Sequence, residues 1–349
     1  MSDKIKLSDF VADFLASKGV RYIHMVVGGG AASLNDSFGK HPNLQYISYH
    51  SEAIGSYSAF GESKYTNKPS ILNVTSGIGG VAALPGVLSA WDDSVPMLII
   101  SGNVNFNQTA RYYKLHKNLN LKQVGIQDND IIEIVKNITK YAVTLEKAED
   151  ILYELEKCWY LSTEGRPSPV WLEVPANLAN SLIIPEELKH FNQRNIDIKM
   201  PFNIDDIIKL QNIQSDIISY QRPLILAGGG IRQSNSVKGF NQFINKYQIP
   251  FVNTFLGCDL TDYDNPLNLG TIGVKAKRNA NFSLNNADFL LILGCQLNIC
   301  HIGYLPDQFA PKARKIAIDI DSDVHKKGII KLDEVINCDL KDFFNYVNN

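Results

Sequence analysis

Apolar segments of this chain repeatedly run into glycines and then into a helical pattern. Residues 22–27 precede glycines at 28–30, and residues 70–75 precede a glycine-rich turn at 76–80. Residues 96–101 are almost continuously apolar, which is typical of a strand buried on both faces of a parallel sheet. Because such strands alternate with helices, the sequence predicts a doubly wound α/β fold with a mainly parallel sheet. Ligands of these sheets bind outside the carboxyl ends of the strands.

The length of the chain indicates two such domains. A chain of 349 residues exceeds the usual domain size of ~100–200 residues. We expect a first domain over residues 1–180, a linker over 181–201 that contains Pro185 and Pro201, and a second domain over 202–349. Both domains are predicted to be doubly wound and mainly parallel, so the predicted fold class is α/β throughout.

The segments between the strands of the first half differ in character. A helix of small residues is predicted at 81–91 and another helix near 148–163. Residues 102–130 are polar and are predicted to be irregular. A long loop beside the carboxyl ends of a sheet more often serves function than structure, so this loop is expected to contribute to a site.

The second half repeats the pattern of strand and glycine. A strand at 223–227 runs into glycines at 228–230, and further strands are predicted at 250–253, 288–293 and 315–320. Two interpretations of the glycines stay open: they contact a nucleotide, or they only allow close packing. The candidate nucleotide contacts are Gly228, Gly229, Gly230 and the strand-terminal acid Asp319.

A dehydrogenase is the weakest functional hypothesis for the second half. The dinucleotide fingerprint needs a third glycine, and Gln233 stands in its place. The glycine run and the later acid therefore match only part of the fingerprint. A nucleotide without hydride chemistry remains the stronger of the two ligand hypotheses for this half.

Charge and apolar patterning exclude several classes of protein. A net charge of −2 gives no basic surface of the kind that binds nucleic acid or an anionic membrane. No apolar run approaches the ~20 residues of a membrane span, and the polar start does not resemble a signal peptide. The five cysteines form no CxxC, so we expect free thiols in a reducing cytoplasm. Cys300 beside His301 lacks further ligands, so no metal site is expected.

One carboxylate stands alone in a stretch of small and aromatic residues. Glu52 is the only Asp, Glu, Lys or Arg residue between Lys40 and Glu62, and it follows a predicted strand at 44–47. If the following helix is buried, loss of solvent raises the pKa of Glu52, which suits a general acid or base. The alternative is a first-turn glutamate that is favoured by the helix dipole.

Several ordered stretches together resemble the thiamine-diphosphate enzymes of the acetolactate synthase type. The likeness covers nearly the whole chain, and it implies a pyrimidine-binding domain followed by a Rossmann-like middle domain. The stretches are GGG at 28–30, HSE at 50–52, TSGIG at 75–79, AWDDSVP at 90–96, QVGIQD at 123–128, TKY at 139–141, GRPSPVWL at 165–172, FAPKA at 309–313 and IDID at 318–321.

The resemblance assigns roles to residues at matching positions. Glu52 matches the glutamate that hydrogen-bonds N1′ of the cofactor's aminopyrimidine, and Gln127 matches a glutamine that reaches toward the substrate. His50 is a candidate proton partner, although a core histidine fits that position equally well. The implied cofactor is thiamine diphosphate with Mg²⁺, and the implied substrate is a 2-oxo acid such as pyruvate. The implied cofactor-binding residues are Gly28, Gly29, Gly30, His50, Ser76, Gly77 and Gly79.

The sequence departs from the family pattern at several positions. Ser51 and Ala53 replace the histidine and glutamine that usually flank the glutamate, and Ile78 and Ala82 replace a common proline and asparagine. Residues 296–301 lack the pattern of the flavin-bearing acetolactate synthases, which argues against FAD. Other stretches resemble a branch from surface-sugar pathways, in which some members transfer an acetyl unit onto a nucleotide-linked ketosugar.

The chain contains no Gly-Asp-Gly, the motif with which the family's third domain holds the diphosphate through Mg²⁺. Without a carboxylate for this hard cation, the phosphates would lack a counter-charge. We therefore expect that the C-terminal diphosphate-binding domain is absent. The chain would then be a shortened form, one subunit of a split enzyme, or a degenerate relative.

Two functional hypotheses follow from the resemblance. In the first, the chain is part of a thiamine-diphosphate-dependent decarboxylase or carboligase that is inactive without the diphosphate-binding domain, which a separate subunit could carry. In the second, it is a non-catalytic nucleotide-binding or assembly module. In either case we expect a homodimer or homotetramer, with the helix after Glu52 and the segment around Trp91 in the contact.

Overall fold

The computed structural model describes residues 4–195 and 204–348 of the chain, which divides into two compact units at residues 197 and 198. The linker predicted over 181–201 begins with a short strand, and its residues from 196 onward lie outside the described ranges. Within these ranges, no helix is both long and apolar enough to span a membrane.

The first unit alternates strands and helices, as the sequence predicts. Its strands are β1 (Ile5–Lys6), β2 (Tyr22–Met25), β3 (Gln45–Ser48), β4 (Ser70–Val74), β5 (Met97–Asn103), β6 (Tyr141–Thr144), β7 (Pro169–Pro175) and β8 (Leu182–Ile183). Its helices are α1 (Leu7–Ser17), α2 (Ala32–Lys40), α3 (Glu52–Thr66), α4 (Ile78–Ala82), α5 (Leu84–Asp92), α6 (Ala110–Lys117), α7 (Ile131–Val135), α8 (Ile151–Thr163) and α9 (Ala176–Ala179).

Six of these strands form one parallel sheet in the order β3-β2-β4-β5-β7-β6. The central strands β4, β5 and β7 are buried along their whole length, as their apolar sequence predicts. The chain first moves outward from β2 to β3 and then returns to the other side of β2 as β4. A topological switch point therefore lies between the carboxyl ends of β2 and β4. β1 and β8 pair antiparallel in a separate small sheet.

Small residues let α3 and α5 pack at close range. α3 buries Gly55, Ser56, Ala59 and Ser63, and Gly86 of α5 lies opposite Ser56. A Cβ atom at residue 86 would lie 2.6 Å from the Cβ of Ser56, and the Gly86 N–H donates to the Ser56 hydroxyl at 3.2 Å. The run of small residues after the start of α3 therefore sets the distance between these two helices.

Two predictions about the first unit need correction. The helix predicted over 81–91 is divided into α4 and α5 at Ala83, next to Pro85 in the first turn of α5. The segment 102–130, predicted to be irregular, contains α6, whose first turn is capped when the Thr109 hydroxyl accepts from the Tyr112 N–H at 3.1 Å. α6 is polar, so it lacks the apolar periodicity that identifies a helix from sequence.

The second unit has the same alternation. Its strands are β9 (Pro223–Ala227), β10 (Phe251–Asn253), β11 (Asn268–Thr271), β12 (Phe289–Leu293), β13 (Arg314–Asp319) and β14 (Glu334–Asn337). Its helices are α10 (Ile204–Ser219), α11 (Gly230–Gln233), α12 (Val237–Tyr247), α13 (Arg278–Asn286), α14 (Ile299–Ile302) and α15 (Leu340–Asn348).

The second sheet is also parallel and follows the order β11-β10-β9-β12-β13-β14. This is the Rossmann order, with a switch point between β9 and β12. The four predicted strands of this half are present, whereas the edge strands β11 and β14 were not predicted. Both edge strands are only partly buried, so they lack the apolar run that marks the central strands. The α/β fold class of both units is confirmed.

A substitution at Gly86 tests the close packing of α3 and α5. We expect Gly86→Ala to destabilise the first unit by about 2 kcal/mol, because the new methyl group meets Ser56. The three tryptophans, at 91, 159 and 171, all lie in the first unit, so urea unfolding followed by tryptophan fluorescence reports on that unit. Gly61→Ala in α3 is the control, since a Cβ at residue 61 meets nothing within 4 Å. Equal midpoints for the two variants would contradict the prediction.

Candidate active site

Two glycine-containing turns meet at the switch point of the first sheet. The turn after β2 contains the glycines at 28–30, and it lies against Thr75 and Ser76 after β4. A Cβ atom at Gly28 would lie 2.5 Å from the Thr75 Cβ, and one at Gly30 would lie 2.7 Å from the Ser76 Oγ. A side chain at either glycine would therefore separate the turns. The structure brings Gly28, Gly30 and Ser76 together, as the sequence analysis expects.

The N–H groups of the first turn are largely used within the protein. The Gly30 N–H donates to the Thr75 hydroxyl at 3.0 Å, and the Gly28 N–H donates to the Asn35 Oδ1 at 3.4 Å. Asn35 in turn donates to Asn73 of β4 at 2.5 Å. In contrast, a Cβ at Gly29 would meet nothing within 4 Å. The turn therefore shapes the site by its close approach, with Gly29 facing open space.

Glu52 is the first residue of α3 and is half-buried. Its Oε1 lies 3.1 Å from the position that a Cβ atom would take at Gly79. Across the described ranges, no group makes a hydrogen bond or ion pair with this carboxylate. Glu52 is not enclosed as the hypothesis of a buried helix required, and its first-turn position also suits the helix dipole. A Cβ atom at Gly79 would also lie 2.7 Å from the Thr75 Cγ2, so the absence of a side chain at residue 79 lets Thr75 and the carboxylate pack against this turn.

Gln127 reaches the same place from the long loop. A Cβ atom at Gly77 would lie 2.7 Å from the Gln127 Cβ, so the loop packs directly on the glycine turn after β4. Gly77 has φ +66° and ψ −121°, a conformation that favours glycine. Gln127 itself has a left-handed φ of 54°. The residue assigned to the substrate therefore adjoins the turn that carries the candidate cofactor contacts.

His50 precedes Glu52 by two residues and is exposed. The alternative of a core histidine is therefore wrong, and its role toward a cofactor stays a prediction. The buried histidine of this region is His24 on β2, which the sequence analysis did not single out. Its partners are far away in sequence, so no local signal could have identified it.

A buried carboxyl group lies near the carboxyl end of β7. Glu173 is 3% exposed, and it accepts hydrogen bonds from Asn103 and from the Thr144 hydroxyl, each at 2.9 Å. Burial raises the pKa of Glu173 to about 7, although these two hydrogen bonds act in the opposite direction. Sequence reasoning missed Glu173, because an acid in an apolar strand does not show which distant side chains enclose it.

Polar contacts hold the long loop at both of its ends. At the start, Asn103 accepts from the Val104 N–H at 2.8 Å while it donates to Glu173. At the end, Arg111 pairs with Asp130 at 3.1 Å. Asp128 is buried and accepts from the N–H groups of Ala110 and Val124. The loop that carries Gln127 is therefore folded around its own carboxylates.

In the second unit, the glycines at 228–230 are explained by packing. A Cβ atom at Gly228 would overlap the carbonyl oxygen of Gly294, and one at Gly230 would lie 2.7 Å from the Gly294 Cα. A Cβ at Gly229 would lie 2.8 Å from the Leu256 Cβ. This close approach at the second switch point agrees with the packing interpretation. Contact of Gly228, Gly229 and Gly230 with a nucleotide stays a prediction.

Asp319 ends β13 beside a buried histidine. It is 9% exposed, and its Oδ1 accepts from the Asp321 N–H at 3.0 Å. Its Oδ2 lies 3.6 Å from the His325 Nε2. Neither ring nitrogen of His325 has a hydrogen-bond partner among the described residues. Asp319 therefore interacts with its own chain, and its role toward a ribose is untested.

These observations define an α/β protein whose first sheet carries a glycine-lined, carboxylate-bearing site at its switch point. Comparison with family models gives the more specific assignment. Residues 5–127 match the N-terminal TPP binding domain of thiamine pyrophosphate enzymes, and residues 210–346 match the central domain of the same enzymes. The chain belongs to the thiamine pyrophosphate enzyme family, which confirms the resemblance found in the sequence.

Acetolactate synthases are among the similar proteins. The large subunit from Lactococcus lactis is 30% identical over 97% of this chain and 57% of its own length. The chloroplastic enzyme of Arabidopsis thaliana is 27% identical over 91% of this chain and 45% of its own length. The isozyme 1 large subunit of Escherichia coli is 24% identical over 90% of this chain and 52% of its own length. The chain thus spans about half the length of the curated relatives that it matches.

The buried carboxyl of Glu173 predicts a specific pH dependence of stability. Its pKa is about 7 when folded and 4.5 as the ordinary value, so the folded state holds the proton more tightly. This contribution to the free energy of unfolding is present below pH 4.5 and is lost as the pH rises toward 7. The side chain of Glu173→Gln stays neutral at every pH. We therefore expect its free energy of unfolding to rise by on the order of 3 kcal/mol, relative to that of the unaltered chain, between pH 4 and 8.

Urea unfolding followed by tryptophan fluorescence at several pH values measures this difference. Glu187→Gln is the control, because Glu187 is exposed. The free energy of unfolding of the control variant should differ from that of the unaltered chain by the same amount at every pH. A constant difference for Glu173→Gln as well would show that Glu173 ionises equally easily in the folded and unfolded states.

Proposed function

We propose that this chain supplies the pyrimidine-binding part of a thiamine-diphosphate-dependent active site. The enzyme would decarboxylate a 2-oxo acid such as pyruvate and transfer the acetyl unit to a second 2-oxo acid or a ketosugar. One observation carries the proposal: the Glu52 carboxylate has no partner among the described residues and lies against the glycine turn, 3.1 Å from the position of a Cβ atom at Gly79. The similarity to acetolactate synthase large subunits supports this reaction class.

The surroundings of Glu52 fit the aminopyrimidine of this cofactor. The ring nitrogens need a group that can give or take a proton, and a carboxyl group can do both. The ring itself is flat and needs space without side chains, which Gly29 leaves free. The flanking aliphatic side chains of Val27 and Ile78 are exposed, so apolar surface is available for the faces of the ring.

Each of these residues has a defined part in the proposed chemistry. Thiamine diphosphate, when bound, supplies the electron sink for the decarboxylation of a 2-oxo acid. Glu52 would hold or release a proton at N1′ of the pyrimidine, and Gly77 and Gly79 would allow the backbone to approach the ring. Gln127 orients the substrate, since its loop packs on the same turn. His50 is exposed beside Glu52, where it can exchange protons with solvent.

The diphosphate and its Mg²⁺ need ligands in addition to these residues. Mg²⁺ binds through carboxylates and phosphate oxygens, and no suitable cluster of three His, Cys, Asp or Glu side chains occurs in the described ranges. We therefore include in the proposal a diphosphate-binding domain outside the present sequence, in the same protein or in a separate subunit. Without this domain the chain is expected to be inactive.

A nucleotide-binding or assembly module is the second candidate function. The buried His325 favours it, because both ring nitrogens lack hydrogen-bond partners among the described residues and Asp319 lies next to them. Asp319 is the last residue of β13 and His325 follows it, so both lie at the carboxyl end of the second sheet, where ligands of such sheets bind. FAD is a weaker candidate there, since the glycines at 228–230 are closed by packing against Gly294. Calorimetry with ADP, FAD and thiamine diphosphate distinguishes these candidates.

We further propose a homodimer or homotetramer in a reducing, cytoplasmic setting, without nucleic acid or membrane partners. The five cysteines are free thiols, which agrees with that setting. Large apolar side chains on the face of α3 and α5 are exposed, which agrees with a contact between copies. These side chains are Ile54, Tyr57, Leu88 and Trp91.

An aspartate on this face tests the proposed assembly. One chain has a mass of 38.9 kDa, so light scattering of the unaltered protein should give at least twice this value. Leu88→Asp should shift the protein to the monomer, because a charge would be buried in the contact. Ile218→Asp is the matched control, since Ile218 is exposed on α10 in the second unit. A monomeric unaltered chain at high concentration would contradict the proposal.

Replacement of the Glu52 carboxyl tests the proposed chemistry. We expect Glu52→Gln to lower CO2 release from pyruvate about 100-fold or more, because an amide cannot exchange the required proton. The assay contains thiamine diphosphate, Mg²⁺ and a diphosphate-binding domain added in cis or in trans. Glu187→Gln serves as the control and should keep full activity. Full activity of Glu52→Gln would refute the assignment.

A further inference from the structure

A buried histidine joins three elements around the candidate site. His24 of β2 is 4% exposed, and both of its ring nitrogens have partners. Its Nδ1 lies 2.8 Å from the Tyr49 hydroxyl, and its Nε2 lies 2.6 Å from the Glu62 Oε2. The rings of His24 and Tyr49 are also stacked, with centroids 5.8 Å apart. Neither the sequence motifs nor the proposed chemistry gives these three residues a role.

The chemistry of the partners satisfies both ring nitrogens. An ionised carboxylate can only accept, so the His24 Nε2–H donates to Glu62. The Tyr49 hydroxyl can both donate and accept, so it is a partner for Nδ1 in either protonation state of that nitrogen. The whole network is satisfied in this arrangement, which makes it a strong constraint in a buried setting.

The network contacts the chain on both sides of Glu52, once just before α3 and once within α3. Tyr49 lies three residues before Glu52, and its backbone N–H donates to the Met25 carbonyl at 3.1 Å. Its ring also packs on the first turn of α3, where a Cβ at Gly55 would lie 3.2 Å from the Tyr49 Cδ2. Glu62 lies in the second half of α3. His24 thus connects β2 both to the segment just before α3 and to the second half of α3.

That strand also leads to the glycine turn of the site. β2 ends at Met25, three residues before Gly28. A shift of α3 relative to β2 would therefore change the position of Glu52 relative to the glycines at 28–30. The α3 N-cap residue, Ser51, provides no side-chain cap, so the start of the helix depends on other contacts.

We propose that His24 is a positioning residue for Glu52, acting through its hydrogen bonds to Tyr49 and Glu62. It fixes the first turn of α3 against β2, and so it holds the carboxylate of Glu52 against the glycine turn at Gly79. This inference rests on the proposed function for the role of Glu52, but the fixed position of α3 can be measured without any cofactor.

Hydrogen exchange of the first turn of α3 tests the positioning. Tyr49→Phe removes only the hydroxyl group and keeps the ring that packs on Gly55. We expect about tenfold faster exchange at the Gly55 amide, which donates to the Ser51 carbonyl at 3.1 Å, because one buried hydrogen bond is lost. Tyr46→Phe on β3 is the matched control, since Tyr46 is exposed, and its exchange should be unchanged. Equal exchange in the two variants would overturn the proposal.

Variants of Glu62 separate the hydrogen bond from general packing. Glu62→Gln keeps an acceptor for the His24 N–H, so it should change exchange at Gly55 less than twofold. Glu62→Ala removes the acceptor and should give about the tenfold effect of Tyr49→Phe. If the glutamine and alanine variants had the same effect, the hydrogen bond to His24 would not be what holds the helix.

A double-mutant cycle with thiamine as the probe tests the link to Glu52. Calorimetry measures thiamine affinity for the unaltered chain, Tyr49→Phe, Glu52→Gln and the double variant. We expect Tyr49→Phe to weaken binding about fivefold, and to have less than a twofold effect when Glu52→Gln is already present. An equal effect in both backgrounds would overturn the inference. If Glu52→Gln alone left the affinity for thiamine unchanged, the proposed function would fail. The hydrogen-exchange data would still show whether the His24 network fixes the first turn of α3.

Discussion

The close approach of two backbone turns is the constraint on which the candidate site depends. The carbonyl of Gly30 lies so near to Gly102 that a Cβ atom at residue 102 would overlap it. Gly28 and Gly30 are held against Thr75 and Ser76 in the same way. Parallel strands bring their carboxyl ends together at one edge, but only glycines let the turns that follow come within contact. The position of Glu52 beside this edge follows from that packing.

The central part of both sheets could be predicted from the sequence for a physical reason. Strands such as β5 and β12 are buried on both faces, so their sequences are apolar almost without interruption. The edge strands β11 and β14 are only partly buried, and the pattern there is too weak to predict a strand. The polar helix α6 was missed because its stability comes from the Thr109 cap and from tertiary contacts.

The candidate site divides in a similar way. Gly28, Glu52 and Gly77 could be predicted because they lie in local sequence patterns and match positions of a family. His24 and Glu173 could not, because their meaning depends on partners that folding brings from far along the chain. Glu62 lies 38 residues from His24, and Asn103 lies 70 residues from Glu173. A single sequence contains no signal that would join such pairs.

Both units use glycines at a switch point, yet different groups lie opposite these glycines. In the second unit, the space next to Gly228 and Gly230 is filled by Gly294, so the glycines serve the contact between neighbouring turns. In the first unit, a Cβ atom at Gly79 would meet Thr75 and would lie 3.1 Å from the Oε1 of Glu52, whose position depends on α3. The close approach at a glycine therefore differs between the units. It brings a neighbouring backbone turn into contact in the second unit, and it brings a carboxylate near the glycine turn in the first. This difference supports the proposed chemistry at the first unit.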